Sequence, residues 1–239
     1  MTNVAVFRPD DGRLANAVDY LESRGVTAVG DAMLAVEETD DSPREDADFA
    51  IFTSKTGAEL VADAGWTVGD TEVCAIGDST ADALDNAGYG VDIVPDEFSS
   101  MGLVAALDSA VDGARVEVAR SDHGSQLLLD GLNDAGAYVH ETVLYRLVRP
   151  EGSGDSTELA ASGELDAALF TSSLTVEHFL AAAHSRGIRD AAIEGLNDAV
   201  VGCIGQPTRK TAEAQGIEVD VVPETADFEV LADAVLAER

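Results

Sequence analysis

The chain has 239 residues, 46% of them hydrophobic and 25% charged, with a formal net charge of −32 from 46 acidic and 14 basic side chains. That length allows one large or two small domains with real cores, and this apolar content excludes a disordered chain. The charge repels polyanions and so excludes nucleic acid as a general partner; no apolar run nears the roughly 18 residues of a membrane span and no secretory signal opens the chain, which implies a cytoplasmic protein without a membrane partner.

In chain order, Val4–Phe7 predicts a short apolar strand, followed by an amphipathic helix with Leu14, Val18 and Leu21 on one face and Gly25 at its C-cap. A polar linker, DDSPREDAD (40–48), leads into DFAIFTSKTGAELV (48–61), an apolar strand ending in Phe-Thr-Ser and then a helix. AIGDSTADALDNAGYGVDIVP (75–95) predicts a strand, a helix, a glycine, a short V-D-x-V strand and a proline, and MGLVAALDSA (101–110) a last helix.

Residues 115–148 repeat the opening plan, with Arg120 and Gly124 standing 112 positions after Arg8 and Gly12. A second linker, RPEGSGDSTE (149–158), precedes DAALFTSSLTVEHFL (166–180), which repeats the Phe-Thr-Ser strand and helix. CIGQPTRKTAEAQGIEVDVVP (203–223) repeats the next unit: Ile76, Gly77, Thr80, Gly88, Asp92, Val94 and Pro95 recur 128 positions later as Ile204, Gly205, Thr208, Gly216, Asp220, Val222 and Pro223. FEVLADAVLA (228–237) is the closing helix. Strands alternating with helices of ten or so residues mean βαβ crossovers, hence an α/β protein with parallel sheets and helices on both faces. The order A-B-A′-B′ gives two similar lobes, but leaves open whether A pairs with B or is exchanged with A′.

The acidic residues are spread through every segment rather than gathered in blocks. This fits a solvated surface adapted to molar salt, a halophilic trait, where screening shrinks self-repulsion to a few ångströms. Cys74 and Cys203 lack C-x-x-C spacing and read as buried, reduced strand residues. His123, His140, His178 and His184 show no ligand spacing and read as surface residues, so no metal is expected.

In open parallel sheets, ligands bind beyond the carboxyl ends of the strands. The distinctive motifs all fall at such ends: Arg8-Pro9, Thr53-Ser54, Gly77-x-x-Thr80, Arg120-Ser121, Thr171-Ser172-Ser173 and Gly205-x-x-Thr208. Gly lets backbone approach a ligand, and Ser or Thr either caps the next helix or donates to an anion. Singly, each motif is more often a cap or a tight turn. Jointly, with Arg8, Lys55, Arg120 and Arg209 at or beside these corners of a cation-poor chain, they point to an anionic small ligand between two lobes. No nucleotide phosphate loop, G-x-S-x-G elbow or H-E-x-x-H is present.

These units, with Tyr145-Arg146 closing A′, resemble the uroporphyrinogen-III synthase family over nearly the whole chain. The resemblance implies two flavodoxin-like lobes with parallel sheets, joined by a two-stranded connector and with the first βα unit exchanged. Residues 1–36 plus 150–239 would form lobe one and 37–149 lobe two, with the active-site cleft between them. It implies a cofactor-free lyase in porphyrin and haem biosynthesis, a monomer that cyclises the linear tetrapyrrole hydroxymethylbilane with inversion of ring D and loss of water. Tyr145 matches the family's cleft tyrosine, suited as a general acid to the departing hydroxyl. Thr80 and Thr208 carry over as cleft threonines, and Ser54 and Ser172 as ligand-facing corners beside Thr53, Thr171, Gly77, Gly205 and Ser121. Arg8, Arg120 and Arg146 are candidates for the substrate carboxylates by position alone. The alternative is a non-catalytic bilobal module for an anionic metabolite, which would use the same corners without Tyr145. A flavin or nucleotide enzyme is disfavoured by the missing phosphate loop and the scarcity of aromatics.

Overall fold

In the computed structural model, which describes residues 2–238, the apolar runs form strands and the amphipathic stretches helices. The first half contains β1 (Asn3–Pro9), α1 (Gly12–Ser23), β2 (Thr27–Glu38), β3 (Phe49–Phe52), α2 (Lys55–Asp63), β4 (Glu72–Ala75), α3 (Asp78–Asn86) and α4 (Ser100–Leu107). The second contains β5 (Arg115–Ser121), α5 (Gln126–Asp134), β6 (Tyr138–Val148), α6 (Ser156–Ala161), β7 (Ala167–Phe170), α7 (Ser173–Ser185), α8 (Arg189–Asn197), β8 (Val200–Cys203), α9 (Gln206–Ala214) and α10 (Phe228–Ala237).

The chain divides into two units, Met1–Ala35 with Val148–Arg239 (unit 1), and Val36–Leu147 (unit 2). Both crossings of the chain fall inside strands, β2 and β6, so the connector is two-stranded. Unit 1 orders its parallel strands β2-β1-β7-β8, and unit 2 orders its own β6-β5-β3-β4. Each order reverses once, between β1 and β7 in unit 1 and between β5 and β3 in unit 2. That switch point is where open α/β sheets leave a crevice at the carboxyl ends.

The central strands read as unbroken apolar runs because helices cover both their faces. Val4, Ala5, Val6 and Phe7 of β1 and all four residues of β7 are fully buried. Phe7 stacks on Phe170 at 4.5 Å and meets Phe179 at 5.1 Å. In unit 2, Phe52, Trp66 and Tyr89 form the matching aromatic group, and the Tyr89 hydroxyl donates to Trp66 O at 2.8 Å.

The predicted V-D-x-V strands shrink to single bridges, Cys74 with Ile93 and Gly202 with Val221. The recurring aspartate is the reason. Asp92 accepts a hydrogen bond from Val73 N at 2.9 Å, and Asp220 accepts one from Val201 N at 2.8 Å. A side chain thus satisfies the strand N–H that a longer ladder would have used. Gly88 and Gly216 recur because both close their helices at positive φ, +92° and +89°.

The second linker is shorter than its composition suggests, since α6 starts at Ser156. Buried Asp31 accepts from Gly154 N at 2.9 Å, from Ser156 N at 3.1 Å and from the Ser156 hydroxyl, which fixes this Gly/Ser stretch to β2. The cysteines are buried, and burial pushes both thiols up to about 12, so they stay protonated. His178 is part-buried, its Nδ1 contacting Met33 O, while His140 stays at the surface with its Nδ1 2.8 Å from the fully buried Glu117 carboxylate. Among the described residues no helix is long and apolar enough to cross a membrane.

Candidate functional site

The carboxyl ends of unit 2 centre on one serine. Ser54 follows β3 in extended backbone and caps α2, its Oγ accepting from Gly57 N at 3.0 Å. The Tyr145 hydroxyl donates to the same oxygen at 2.9 Å. A serine oxygen has two lone pairs and one hydrogen. With both lone pairs taken, the Ser54 hydrogen remains available to donate. Tyr145 reaches this position through a register shift: Arg120 pairs with Val143 but Ser121 with Tyr145. The bulge lets adjacent Leu144 and Tyr145 both face the core, at 4% and 6% exposure, where strict alternation would have turned one outward. Arg146 is consequently exposed, and it acts on Asp122, whose carboxyl is lowered against its own burial by His123, Leu147 N and Arg146.

Next to Ser54 lies the end of β4, since Ile76 N donates to Phe52 O at 3.0 Å. Gly77 is the N-cap of α3 in fully extended backbone that any residue adopts. Its need for glycine is steric: an added Cβ would sit 3.1 Å from the Phe98 ring. Thr80, in the first turn of α3, is 2% exposed, and its hydroxyl has no partner among the described residues. Thr53, after β3, and Ser121, at the end of β5, are half-buried without side-chain hydrogen bonds among the described residues.

Arg120 has other work. Its Nε donates to Glu141 at 2.7 Å, its Nη1 to Ser125 O at 2.6 Å, and the side chain is nearly buried against Gly124. Position alone suggests a carboxylate contact; the geometry makes it a brace for the loop leading into α5. Lys55 is also partnered, with Glu59 at 3.5 Å.

Unit 1 repeats the layout with different chemistry. Thr171 donates to Phe7 O at 2.7 Å across the switch point, and Ser172 caps α7 in a reciprocal pair with Thr175. A register shift between Arg8 and Pro9 mirrors that in β5, but the position matching Tyr145 is Leu34. Gly205 caps α9, and an added Cβ would meet nothing nearer than Pro207 at 3.8 Å. Thr208, 3% exposed, matches Thr80 in lacking a hydroxyl partner among the described residues. Arg209 pairs with Glu213 at 2.7 Å.

Arg8 is the uncommitted cation of this end. It makes no ion pair or hydrogen bond among the described residues, and its Nε is buried without a partner. Its guanidinium lies 4.8 Å over the Phe228 ring. Burial and neighbouring Arg13 pull its pKa below the usual value, while Asp11 and Asp227 act the other way. A buried donor left open in so acidic a chain is suited to an anion. Phe228 and Phe98 lie outside the motifs read from the sequence, because isolated aromatics carry no spacing signal. A cavity of about 390 Å³ in unit 2, lined by Arg44, Arg115, Glu117 and His140, opens instead at the amino ends of β5 and β6.

The uroporphyrinogen-III synthase HemD family model matches residues 15–233. A putative uroporphyrinogen-III synthase from Methanothermobacter thermautotrophicus is 35% identical over 237 residues, covering 92% of each chain. The uroporphyrinogen-III synthase of Chlorobaculum parvum is 26% identical over 168 residues, 69% of this chain and 65% of its own. Among solved structures, a mutant uroporphyrinogen III synthase of Thermus thermophilus superposes with a TM-score of 0.70 at 20% identity over the whole of both chains. The enzyme of Helicobacter pylori gives 0.64 at 15% identity, again over both whole chains, and these two likenesses speak to the fold.

Proposed function

Because the chain belongs to the uroporphyrinogen-III synthase family, whose members act on hydroxymethylbilane in tetrapyrrole biosynthesis, we propose how its own residues divide that reaction. Unit 1 takes carboxylates, and unit 2 takes the reacting hydroxymethyl carbon together with further carboxylates at Thr80 and the start of α3. The observation that carries the assignment is the Tyr145–Ser54–Gly57 hydrogen-bond chain, which leaves one hydroxyl hydrogen free at the end of β3.

The Ser54 hydroxyl passes its proton to the departing hydroxyl oxygen and takes the Tyr145 proton in its place. The C–O bond breaks with its electron pair going to oxygen, water leaves, and the pyrrole nitrogen spreads the positive charge over a planar azafulvene cation. Attack on that carbon by the substituted position of ring D forms the new C–C bond. The spiro intermediate rearranges, and the proton is returned as the ring system regains aromaticity. Tyr145 is the general acid of this chain at one remove, so its hydroxyl supplies the proton without touching the leaving group.

Arg8 binds a carboxylate through its guanidinium, which no ion pair or hydrogen bond engages among the described residues and whose plane Phe228 holds. The unpartnered hydroxyls of Thr80 and Thr208 and the free N–H groups opening α3 and α9 bind others. Gly205 leaves room for such a group to approach. Arg146, exposed near Asp122, Ser121 and Thr53 belong to the unit 2 end, and Thr171 and Ser172 to that of unit 1. Arg120 is left out because its Nε and Nη1 are tied to Glu141 and Ser125 O and its side chain is nearly buried. We read the protein as a cytoplasmic, salt-adapted monomer. Sedimentation in molar salt tests the monomer, and a melting temperature that falls as salt is removed tests the adaptation.

The purified protein in high salt, given hydroxymethylbilane, is expected to yield the type III isomer in excess over the type I product that forms unaided. An isomer ratio equal to that of the enzyme-free control, in folded protein, rejects the reading.

A further inference from the structure

We propose that Phe98 is a further substrate-positioning residue, whose free ring face stabilises the planar cation formed when the hydroxyl leaves. This rests on the reading of the chain as a uroporphyrinogen-III synthase acting at the end of β3. Phe98 is 58% exposed, an unusual state for a phenylalanine in a chain with seven of them. It is nevertheless held. Ser99 N donates to Glu97 O at 2.7 Å, the Ser99 hydroxyl donates to the Glu97 carboxylate at 3.0 Å, and Ser99 caps α4 by accepting from Gly102 N at 3.0 Å. Gly102 itself has no room for a Cβ beside Glu97 O. The residues on both sides of Phe98 are therefore pinned.

The ring rests on Gly77, where a Cβ would meet its Cγ at 3.1 Å and its Cδ2 at 3.4 Å. That places the phenyl ring at Gly77, one helical turn before Thr80, at the end of β4, which is hydrogen-bonded to the end of β3 that leads into Ser54. The repeat isolates the feature. The matching position in unit 1 is Ala226, and the ring nearby, Phe228, is already covered by Arg8 and Tyr20. Unit 2 alone presents an uncommitted aromatic face at its ligand end.

The chemistry needs such a group. A planar, delocalised cation forms here on a substrate carrying eight carboxylates. A carboxylate reaching the cation would favour it but repel the rest of the substrate, and the Glu97 carboxylate beside Phe98 is tied back to Ser99. A phenyl face attracts the cation through its quadrupole and adds no charge. The contact strengthens as positive charge develops, so it acts on turnover more than on binding.

The test uses the full chain in high salt with hydroxymethylbilane, comparing Phe98→Tyr, Phe98→Leu and Phe98→Ala. Phe98→Tyr is expected to keep kcat within about threefold, whereas Phe98→Leu and Phe98→Ala lower kcat about tenfold and raise KM less than about threefold. The exposed position should leave the melting temperature unchanged. Gly77→Ala, which nudges the ring, should lower kcat in the parent but have no further effect in Phe98→Ala. A Phe98→Leu variant as fast as the parent, or one altered only in KM, overturns the proposal. A parent protein giving no excess of type III isomer overturns the family reading itself, and is told apart by that result alone.

Discussion

At the end of β3, Ser54 caps its helix and also takes a hydrogen bond from Tyr145; at the end of β7, Ser172 caps its helix through a reciprocal pair with Thr175 and meets no tyrosine. The two units share a strand order, a bulge after each matched arginine, and an unpartnered threonine hydroxyl near each glycine cap. They differ in what fills the positions around that frame. Unit 2 has Tyr145 and an exposed Phe98, and its arginine is locked to Glu141; unit 1 has Leu34 and Ala226, and its arginine is free. Duplication has kept the geometry that makes a ligand end and let the chemistry diverge, so that matched residues in the two units should fail in different ways.

The matched arginines give the widest separation. Arg120→Met removes one partner of a nearly buried ion pair and the donor to Ser125 O, and should cost about 2 kcal/mol of stability with little change in KM. Arg8→Met should leave the melting temperature near that of the parent and raise KM about tenfold. Thermal melts beside steady-state kinetics check both. If Arg8→Met loses stability while Arg120→Met loses affinity, the contrast between the units is inverted.

Tyr145→Phe keeps the buried ring and removes only its hydroxyl, so kcat should fall about a hundredfold with KM within about threefold. Ser54→Ala should do the same and lose about 1 kcal/mol of helix capping as well. Ser172→Ala should show that capping loss and a modest rise in KM, but keep kcat. A matched fall of kcat in Ser54→Ala and Ser172→Ala would mean that the tyrosine does not set the two ends apart.

Much of this frame is legible in the residues. The apolar runs of β1, β3 and β7, the helix periodicity and the two copies of Gly-x-x-Thr follow from patterning that local physics enforces. The recurring aspartates are visible but not their purpose, because a carboxylate that replaces a ladder bond looks in sequence like a turn residue. Arg8 and Arg120 occupy the same place in the repeat, and Glu141 across the strand pair and the Ser125 carbonyl separate a brace from a free donor. Phe98 is silent for a related reason: its exposure depends on a glycine twenty-one positions earlier and on a cap that holds its neighbours.

Where the units are alike, matched changes should have matched cost. Asp92→Ala and Asp220→Ala each leave a strand N–H without its acceptor and should lower stability by about 1–2 kcal/mol, equal within about 0.5 kcal/mol. Denaturant midpoints at fixed salt measure this, and a large inequality would show that the frame itself has diverged.

The glycine caps give the finest comparison. Gly205 has extended backbone and open space where a Cβ would go, so nothing in unit 1 requires glycine there. Gly205→Ala should therefore change stability by no more than a few tenths of a kcal/mol. If a substrate carboxylate approaches the α9 backbone at this point, the added methyl should still raise KM about threefold. Gly77→Ala should act on kcat instead, because its methyl meets Phe98 before it meets ligand. A Gly205→Ala variant with unchanged KM would leave Thr208, Arg8 and Ser172 as the carboxylate contacts of unit 1, and would move the recurrence of this glycine from binding to the history of the repeat.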